Sequence, residues 1–283
     1  MSDSHRLQVD AGHFTTKGVK ADNEDAVGVC IPDDAHQLTT KGICAVVADG
    51  VSTAEAGKQA SETSVSQFLN DYYDTPDIWS VSHCGEKVMS AINLKLYRLS
   101  HAFKSQSKGY LCTFSTAIIK STTAHLFHVG DSRIYLLRCG ELTQLTHDHT
   151  VYLRDNHETL ARAVGMDNRL NIDYRKVPLK DGDLLLCSSD GLHGYLSSQQ
   201  IIKTLQLEKS AQEISRLLCQ QALDNNSDDN VSAVVVKVER LDMESIDDFN
   251  SRLTRLPFPP ALSPGFKIDD FEIIEEFYAS ARS

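Results

Sequence analysis

Apolar residues in this chain come in short runs that stop at acidic or glycine-containing corners. Ala45–Ala48 leads into Asp49-Gly50, Leu126–Val129 into Gly130-Asp131, and Leu184–Cys187 through two serines into Asp190-Gly191. The run Val231–Val238 begins directly after Asp228-Asp229-Asn230. Continuous apolar runs bounded by turn residues predict strands buried on both faces. Residues 5–15 alternate as a strand should, and Ala26–Ile31, Cys112–Ile119, Ala124–Val129, Ile134–Arg138, Asn171–Val177 and Asp183–Ser188 add further strands. Pro32–Lys41 reads as a loop before the run Gly42–Ala48.

Helical spacing appears elsewhere. Ala56, Ala60, Val65, Phe68, Leu69 and Tyr72 recur at near-helical intervals, and Pro76 then breaks the chain. A second helix reads from Ile78 to Phe103, with Val88, Ala91, Ile92, Leu96, Leu99 and Phe103 on one stripe. Helices are also expected over His149–Arg162, Ser198–Leu205 and Ala211–Leu223. Clusters of strands broken by paired helices predict an α+β domain with antiparallel sheets and helices packed outside. The tail differs: Pro257, Pro259, Pro260 and Pro264 are four of the seven prolines, and this density reads as an extended linker. Beyond it lies the apolar-acidic segment Ile268–Phe277.

Composition narrows the function classes. The chain has 283 residues and 41% hydrophobic content, enough for a real core. No stretch approaches the roughly 18–20 apolar residues needed to cross a membrane, and the first residues do not form a signal peptide. Seven cysteines are scattered without a CxxC pair, which argues for a reducing, cytoplasmic setting. A formal net charge of −11 makes nucleic acid an improbable partner. It also repels a phosphorylated substrate unless cations offset the acidic corners, which favours an obligatory metal.

A lone Asp-Gly after a strand is an ordinary turn. Several such carboxylates, each on a rigid strand end facing solvent, are where hard cations such as Mg²⁺ or Mn²⁺ are held. Two such ions sharing a carboxylate can acidify a water and offset charge on a phosphoryl group. Rival chemistries lack their residues. Counting on from Cys84 to the position a thiol phosphatase requires gives Ser90, not Arg. Gly50–Lys58 misses P-loop spacing, and neither GxSxG nor HExxH occurs. His147 and His149 are either metal ligands or capping and surface groups.

Read in order, the segments Asn23-Glu24-Asp25-Ala26, Val47-Ala48-Asp49-Gly50, Cys112-Thr113-Phe114-Ser115-Thr116, Val129-Gly130-Asp131-Ser132-Arg133, Thr146-His147-Asp148-His149, Ala161-Arg162-Ala163-Val164-Gly165, Ser188-Ser189-Asp190-Gly191-Leu192 and Asp229-Asn230-Val231-Ser232 resemble the metal-dependent type 2C (PPM) serine/threonine protein phosphatases in their bacterial form. The resemblance covers about residues 5–239. It implies a β-sandwich of two antiparallel sheets flanked by helices, and Mn²⁺ or Mg²⁺ as cofactor. It implies that Asp49 bridges two metals, that Asp190 and Asp229 complete one shell, and that the Gly50 carbonyl binds the other ion with Asp25 and Glu24. Asp131 matches a third, weaker metal position, and Asn230 supports the ligands from behind. Asp49 and Asp190 are thus the catalytic pair. Ser132 and Arg133 are taken as structural.

Two departures from the family pattern matter. Lys20 stands where members usually carry a phosphate-clasping Arg; it is either the phosphate-binding residue or a solvated lysine. Val51 stands where some members place a His as general acid. The tail segment Phe271–Phe277 resembles the first strand of a protein kinase domain. The expected organisation is therefore a phosphatase domain over 1–239, a Pro-rich linker over 240–267 and a kinase-like stub over 268–283. The alternative for the tail is packing onto the phosphatase domain. The expected activity is hydrolysis of phosphoserine and phosphothreonine in proteins. The alternative is a catalytically weak module that binds phosphoproteins and controls an attached kinase.

Overall fold

The computed structural model describes residues 6–51, 54, 56–101, 109–152, 158–243, 264–265, 267–268 and 271–275. The chain divides into two units, Met1–Glu244 and Ser245–Ser283. In the first unit the order is β1 (Gln8–Thr16), β2 (Asp25–Cys30), α1 (Ala35–Lys41), β3 (Ile43–Asp49), α2 (Gly57–Tyr73), α3 (Val81–His101), β4 (Phe114–Lys120), β5 (Thr123–Val129) and β6 (Arg133–Arg138). It continues with β7 (Glu141–Gln144), β8 (Thr150–Tyr152), β9 (Glu158–Leu160), β10 (Asp173–Pro178), β11 (Leu184–Ser188), α4 (Asp190–His193), α5 (Ser198–Leu205), α6 (Ala211–Asp224) and β12 (Val231–Arg240).

Two antiparallel five-stranded sheets result, in the orders β1-β12-β11-β6-β7 and β10-β5-β4-β3-β2. One apolar cluster fills the space between them, with Val47, Ala117 and Leu126 from one sheet against Leu136, Leu185 and Val236 from the other. A second cluster joins the outer face of the β3 sheet to α2 and α3 through Val46, Phe68, Phe114, Phe127 and Ile92. A third joins the β12 sheet to α5 and α6 through Val235, Leu186, Ile201, Ile214 and Leu218. Central strands are therefore covered on both faces, which is why β3, β5 and β12 read as unbroken apolar runs rather than alternating ones. The edge strand β10 alternates in exposure instead.

Helix starts follow local chemistry. Ser197 and Ser210 each head a capping box, with Gln200 and Glu213 reaching back to the cap nitrogen. Asp34 caps α1 by accepting from the Gln37 amide, so the segment read as a loop over Pro32–Lys41 holds a short helix. The helix expected over His149–Arg162 is also corrected. Its described residues form the antiparallel pair β8 and β9, closed at its base by the Ala161 amide donating to the His149 carbonyl at 2.7 Å. Thr150, Val151 and Thr159 are β-branched and favour that outcome.

Of the second unit, described residues form β13 (Lys267–Ile268) and β14 (Phe271–Glu272), paired antiparallel. Ile273–Glu275 continue without strand structure, so the expected single strand through Phe277 is not seen in the described part. Most of the Pro-rich segment, and residues 276–283, lie outside the described residues.

Candidate active site

Antiparallel pairing brings particular strand ends together. The end of β11 lies beside the starts of β12 and β6, with Ser188 opposite both Ala233 and Arg133. In the other sheet the end of β3 lies beside the start of β2, with Asp25 opposite Asp49, and beside the start of β4. The chain crosses between sheets at Gly130-Asp131-Ser132, between β5 and β6. All the acidic corners thereby fall at one end of the sandwich.

There a cavity of about 550 Å³ opens. Asp49, Gly50, Asp131, Asp190 and Asp229 line it, together with Thr113, Arg133, Asp148 and His193. Asp25, Glu24, Asn230 and Lys20 are not among the lining residues. Asp25 is buried, and its Oδ2 accepts from Ser189 Oγ at 2.8 Å and Ser232 Oγ at 2.6 Å. The Asn230 side chain accepts from the Glu24 amide at 2.8 Å and donates to the Lys17 and Asp22 carbonyls. It thus ties the β1–β2 loop to the start of β12. Lys20 Nζ lies 2.7 Å from Asp229 Oδ1.

Two glycines let the backbones close up. A Cβ on Gly50 would meet the Gly57 carbonyl carbon at 2.4 Å and the Glu24 oxygen at 2.8 Å. One on Gly191 would meet the Asn230 oxygen at 2.1 Å. Gly130 has φ 109°, in the left-handed region.

The electrostatics are those of crowded carboxylates. Burial first, then the charges of Asp25 and Asp190, hold the Asp49 carboxyl well above its ordinary range. Burial, opposed by its two serine donors, raises Asp25 to about 7. Asp190 is raised by burial and then by the charge of Asp229. Burial also raises Glu24. Among the described residues no three His, Cys, Asp or Glu side chains already converge on one point as a ligand set. The buried Asp25 Oδ1 and Asp190 Oδ1 nevertheless lack any hydrogen-bond partner. Orphaned carboxylate oxygens, an all-oxygen donor set and close-set glycine backbone suit a hard divalent ion.

Sequence reasoning passed over part of this site. Arg133, expected to be structural, does grip Asp148 through Nε and Nη2, at 2.6 Å in the shortest contact, yet both residues also line the cavity. His193 lines it too, with Nδ1 3.0 Å from Ser188 Oγ, and burial lowers its pKa to about 3. The clue lay in the positions of Arg133 and His193, two and three residues after candidate ligands. His149 packs inward, its Nδ1 accepting from the Gly130 amide and its Nε2 3.1 Å from Asp173 Oδ2. His128 Nε2 is bonded to the His147 carbonyl. Neither His147 nor His149 lines the cavity.

A two-sheet sandwich with helices outside and carboxylates gathered at one end is the architecture of metal-dependent phosphatases. A family model described as "Protein phosphatase 2C" matches residues 19–234, and the chain belongs to that family of serine/threonine phosphatases. Serine/threonine phosphatase Stp of Listeria monocytogenes is 26% identical over 237 residues, 77% of this chain and 91% of that protein. Protein phosphatase PhpP of Streptococcus pneumoniae is 25% identical over 215 residues, 70% of this chain and 87% of that one. Among solved structures, the S. agalactiae serine/threonine phosphatase superposes with a TM-score of 0.71 at 25% identity, covering 82% of this chain and 100% of that one. The Mycobacterium tuberculosis phosphatase PstP/Ppp gives 0.69 at 25% identity, covering 83% and 100%. No helix among the described residues is long and apolar enough to cross a membrane.

Proposed function

We propose that the cavity holds two divalent cations, Mn²⁺ or Mg²⁺, and hydrolyses phosphoserine and phosphothreonine in proteins by direct attack of water. The observation that carries this reading is that Asp49, Asp131, Asp190 and Asp229, distant in sequence, line one cavity beside the Gly50 backbone. Asp49 would be a ligand common to both ions; Asp190 and Asp229 would hold one, and the Gly50 carbonyl with Asp25 the other. Asp131 would serve a third, weaker ion shared with Asp190. Bound there, the ions supply an acidified water and positive charge for the phosphoryl oxygens.

The chain's own groups do the rest. Burial desolvates the carboxyls of Asp25, Asp49 and Asp190. Lys20, whose Nζ pairs with Asp229 Oδ1, would turn from that carboxylate to the substrate phosphate. Val51 offers no proton to the leaving alkoxide. His193, lowered to about 3, is neutral at physiological pH and does not act as an imidazolium acid. That proton comes from solvent in the cavity. The complete carboxylate set speaks against the reading as a weak binding module.

The test is turnover of p-nitrophenyl phosphate with Mn²⁺, alongside calorimetric titration of chelator-treated protein with Mn²⁺. Activity lost to chelator and restored by Mn²⁺ supports the reading; phosphopeptide binding without phosphate release removes it. The scattered free thiols support a cytoplasmic setting. The kinase-like string Phe271–Phe277 supports a phosphatase–kinase fusion with boundaries near 239 and 268. A kinase-encoding reading frame following Ser283 is its test, and a stop codon there overturns it.

A further inference from the structure

The buried surroundings of Asp25 carry an inference that rests on the metal-site reading above. Ser189 Oγ and Ser232 Oγ both reach the same oxygen, Oδ2, while Oδ1 has neither partner nor exposed surface. The two serines come from different strand ends, Ser189 from the β11–α4 turn and Ser232 from β12. They are also locked to one another, since the Ser232 amide donates to Ser189 Oγ at 3.0 Å.

Each hydroxyl has one proton, so the direction of the chain can be followed. Ser232 Oγ lies 2.7 Å from Thr15 Oγ1, its cross-strand partner in the β1–β12 register. Thr15 Oγ1 in turn accepts from Asn23 Nδ2 at 2.8 Å. If Ser232 gives its proton to Asp25, Thr15 gives its own to Ser232, and Asn23 supplies the donor Thr15 needs. Every hydroxyl is then satisfied, and the protons point towards Asp25. The relay Asn23–Thr15–Ser232–Asp25–Ser189 joins the β1–β2 loop, β1, β12 and the β11–α4 turn to β2 of the other sheet, at the carboxylate end.

We infer that Ser189 and Ser232 are positioning residues that saturate Asp25 Oδ2 and so reserve Oδ1 for a divalent cation. Donors on the far side of a metal-ligating carboxylate fix its orientation, and their loss typically weakens metal binding about 10–100-fold.

The experiment titrates chelator-treated protein with Mn²⁺ by calorimetry, with circular dichroism confirming the fold of each variant. Ser189→Ala and Ser232→Ala are each expected to weaken Mn²⁺ binding by about 10–100-fold. Ser189→Cys, a weak donor of similar volume, should fall between Ser and Ala. Ser215→Ala removes a buried hydroxyl that bonds only within α6, to the Ala211 carbonyl, and should leave Mn²⁺ affinity unchanged. Wild-type affinity in the folded alanine variants overturns the inference, as does an effect of Ser215→Ala equal to theirs. Should Ser232→Ala fail to fold, the Ser189 series decides alone. Wild-type protein that binds no Mn²⁺ sinks the proposed function itself, a result distinct from either.

Discussion

Lys20 Nζ sits 2.7 Å from Asp229 Oδ1, so the cation expected to meet phosphate is paired with a carboxylate of the candidate metal site. A lysine is a compact point charge on a flexible stem and can turn from one anion to another, whereas an arginine would present a fixed fork. Lys20→Met is expected to raise KM for p-nitrophenyl phosphate roughly tenfold, the worth of one charge-assisted hydrogen bond of about 1.5 kcal/mol. Lys20→Arg should keep KM at or below the wild-type value. Steady-state kinetics at saturating Mn²⁺ check both, and an unchanged KM in Lys20→Met returns Lys20 to a surface role.

Asp49 and Asp190 are raised chiefly by burial and then by neighbouring carboxylates. Replacing either with Asn removes one repelling charge along with one ligand. Activity with Mn²⁺ should fall at least about 10³-fold, in keeping with loss of the charge stabilisation that metal ions supply. In chelator at pH 8 the same variants should melt about 2–6 °C higher than wild type, as expected for roughly 1–2 kcal/mol at this chain length. Retained turnover in both variants would falsify the site assignment.

The pH dependence of metal removal follows from Asp25. Its folded pKa is about 7 against an ordinary 3.8, so between those values the folded metal-free chain keeps a proton that the unfolded chain has released. Stability from this group in the metal-free chain is therefore fully present below about pH 3.8 and is lost as pH rises to about 7. Metal binding needs the ionised carboxylate, so the melting-temperature gain on adding Mn²⁺ should grow from pH 6 to pH 8. Differential scanning calorimetry with and without chelator measures it; a gain that shrinks with pH contradicts the argument.

His128 works in the opposite sense. Burial first, then the proximity of His149, lowers it from 6.5 to about 4; its Nε2 donates to the His147 carbonyl and its Nδ1 bonds to Ser115 Oγ. A depressed base contributes stability that is intact above about 6.5 and is lost as pH falls towards 4. NMR of the ring protons should show His128 still neutral at pH 5.5. The metal-loaded minus metal-free comparison cancels this contribution, which is why it isolates the carboxylates.

Gly191→Ala tests the close approach of α4 to the Asp229-Asn230 corner. A Cβ there meets the Asn230 backbone oxygen at 2.1 Å, and backbone cannot swing aside as a side chain can. The two corners must part, separating Asp190 from Asp229. Urea denaturation is expected to show a loss of about 2–3 kcal/mol, within the usual cost of forced overpacking, and Mn²⁺-dependent activity should drop with it.

Most strands were legible because burial on both faces imposes unbroken apolar runs. Val231–Val238 and Leu184–Cys187 could be placed within two residues of β12 and β11. The helices expected over Ser198–Leu205 and Ala211–Leu223 match α5 and, to within one residue, α6. His149–Arg162 misled because a short segment of mixed polarity carries little periodic signal, and the pairing of Thr150 with Leu160 is a tertiary choice. The helix α1 hid behind Pro32 and the polar residues that cap it.

The sequence by itself determined which residue types stand at strand ends, and so which chemistry was open: oxygen ligands, a lysine in place of an arginine, a valine in place of a proton donor. Only the tertiary structure decided that Asp49 and Asp190 face one cavity, that Lys20 rests on Asp229, and that Ser189 and Ser232 share one oxygen of Asp25. Strand order and register set those relations. They arise from which sheet faces bury together, a property of the whole chain that no local pattern encodes.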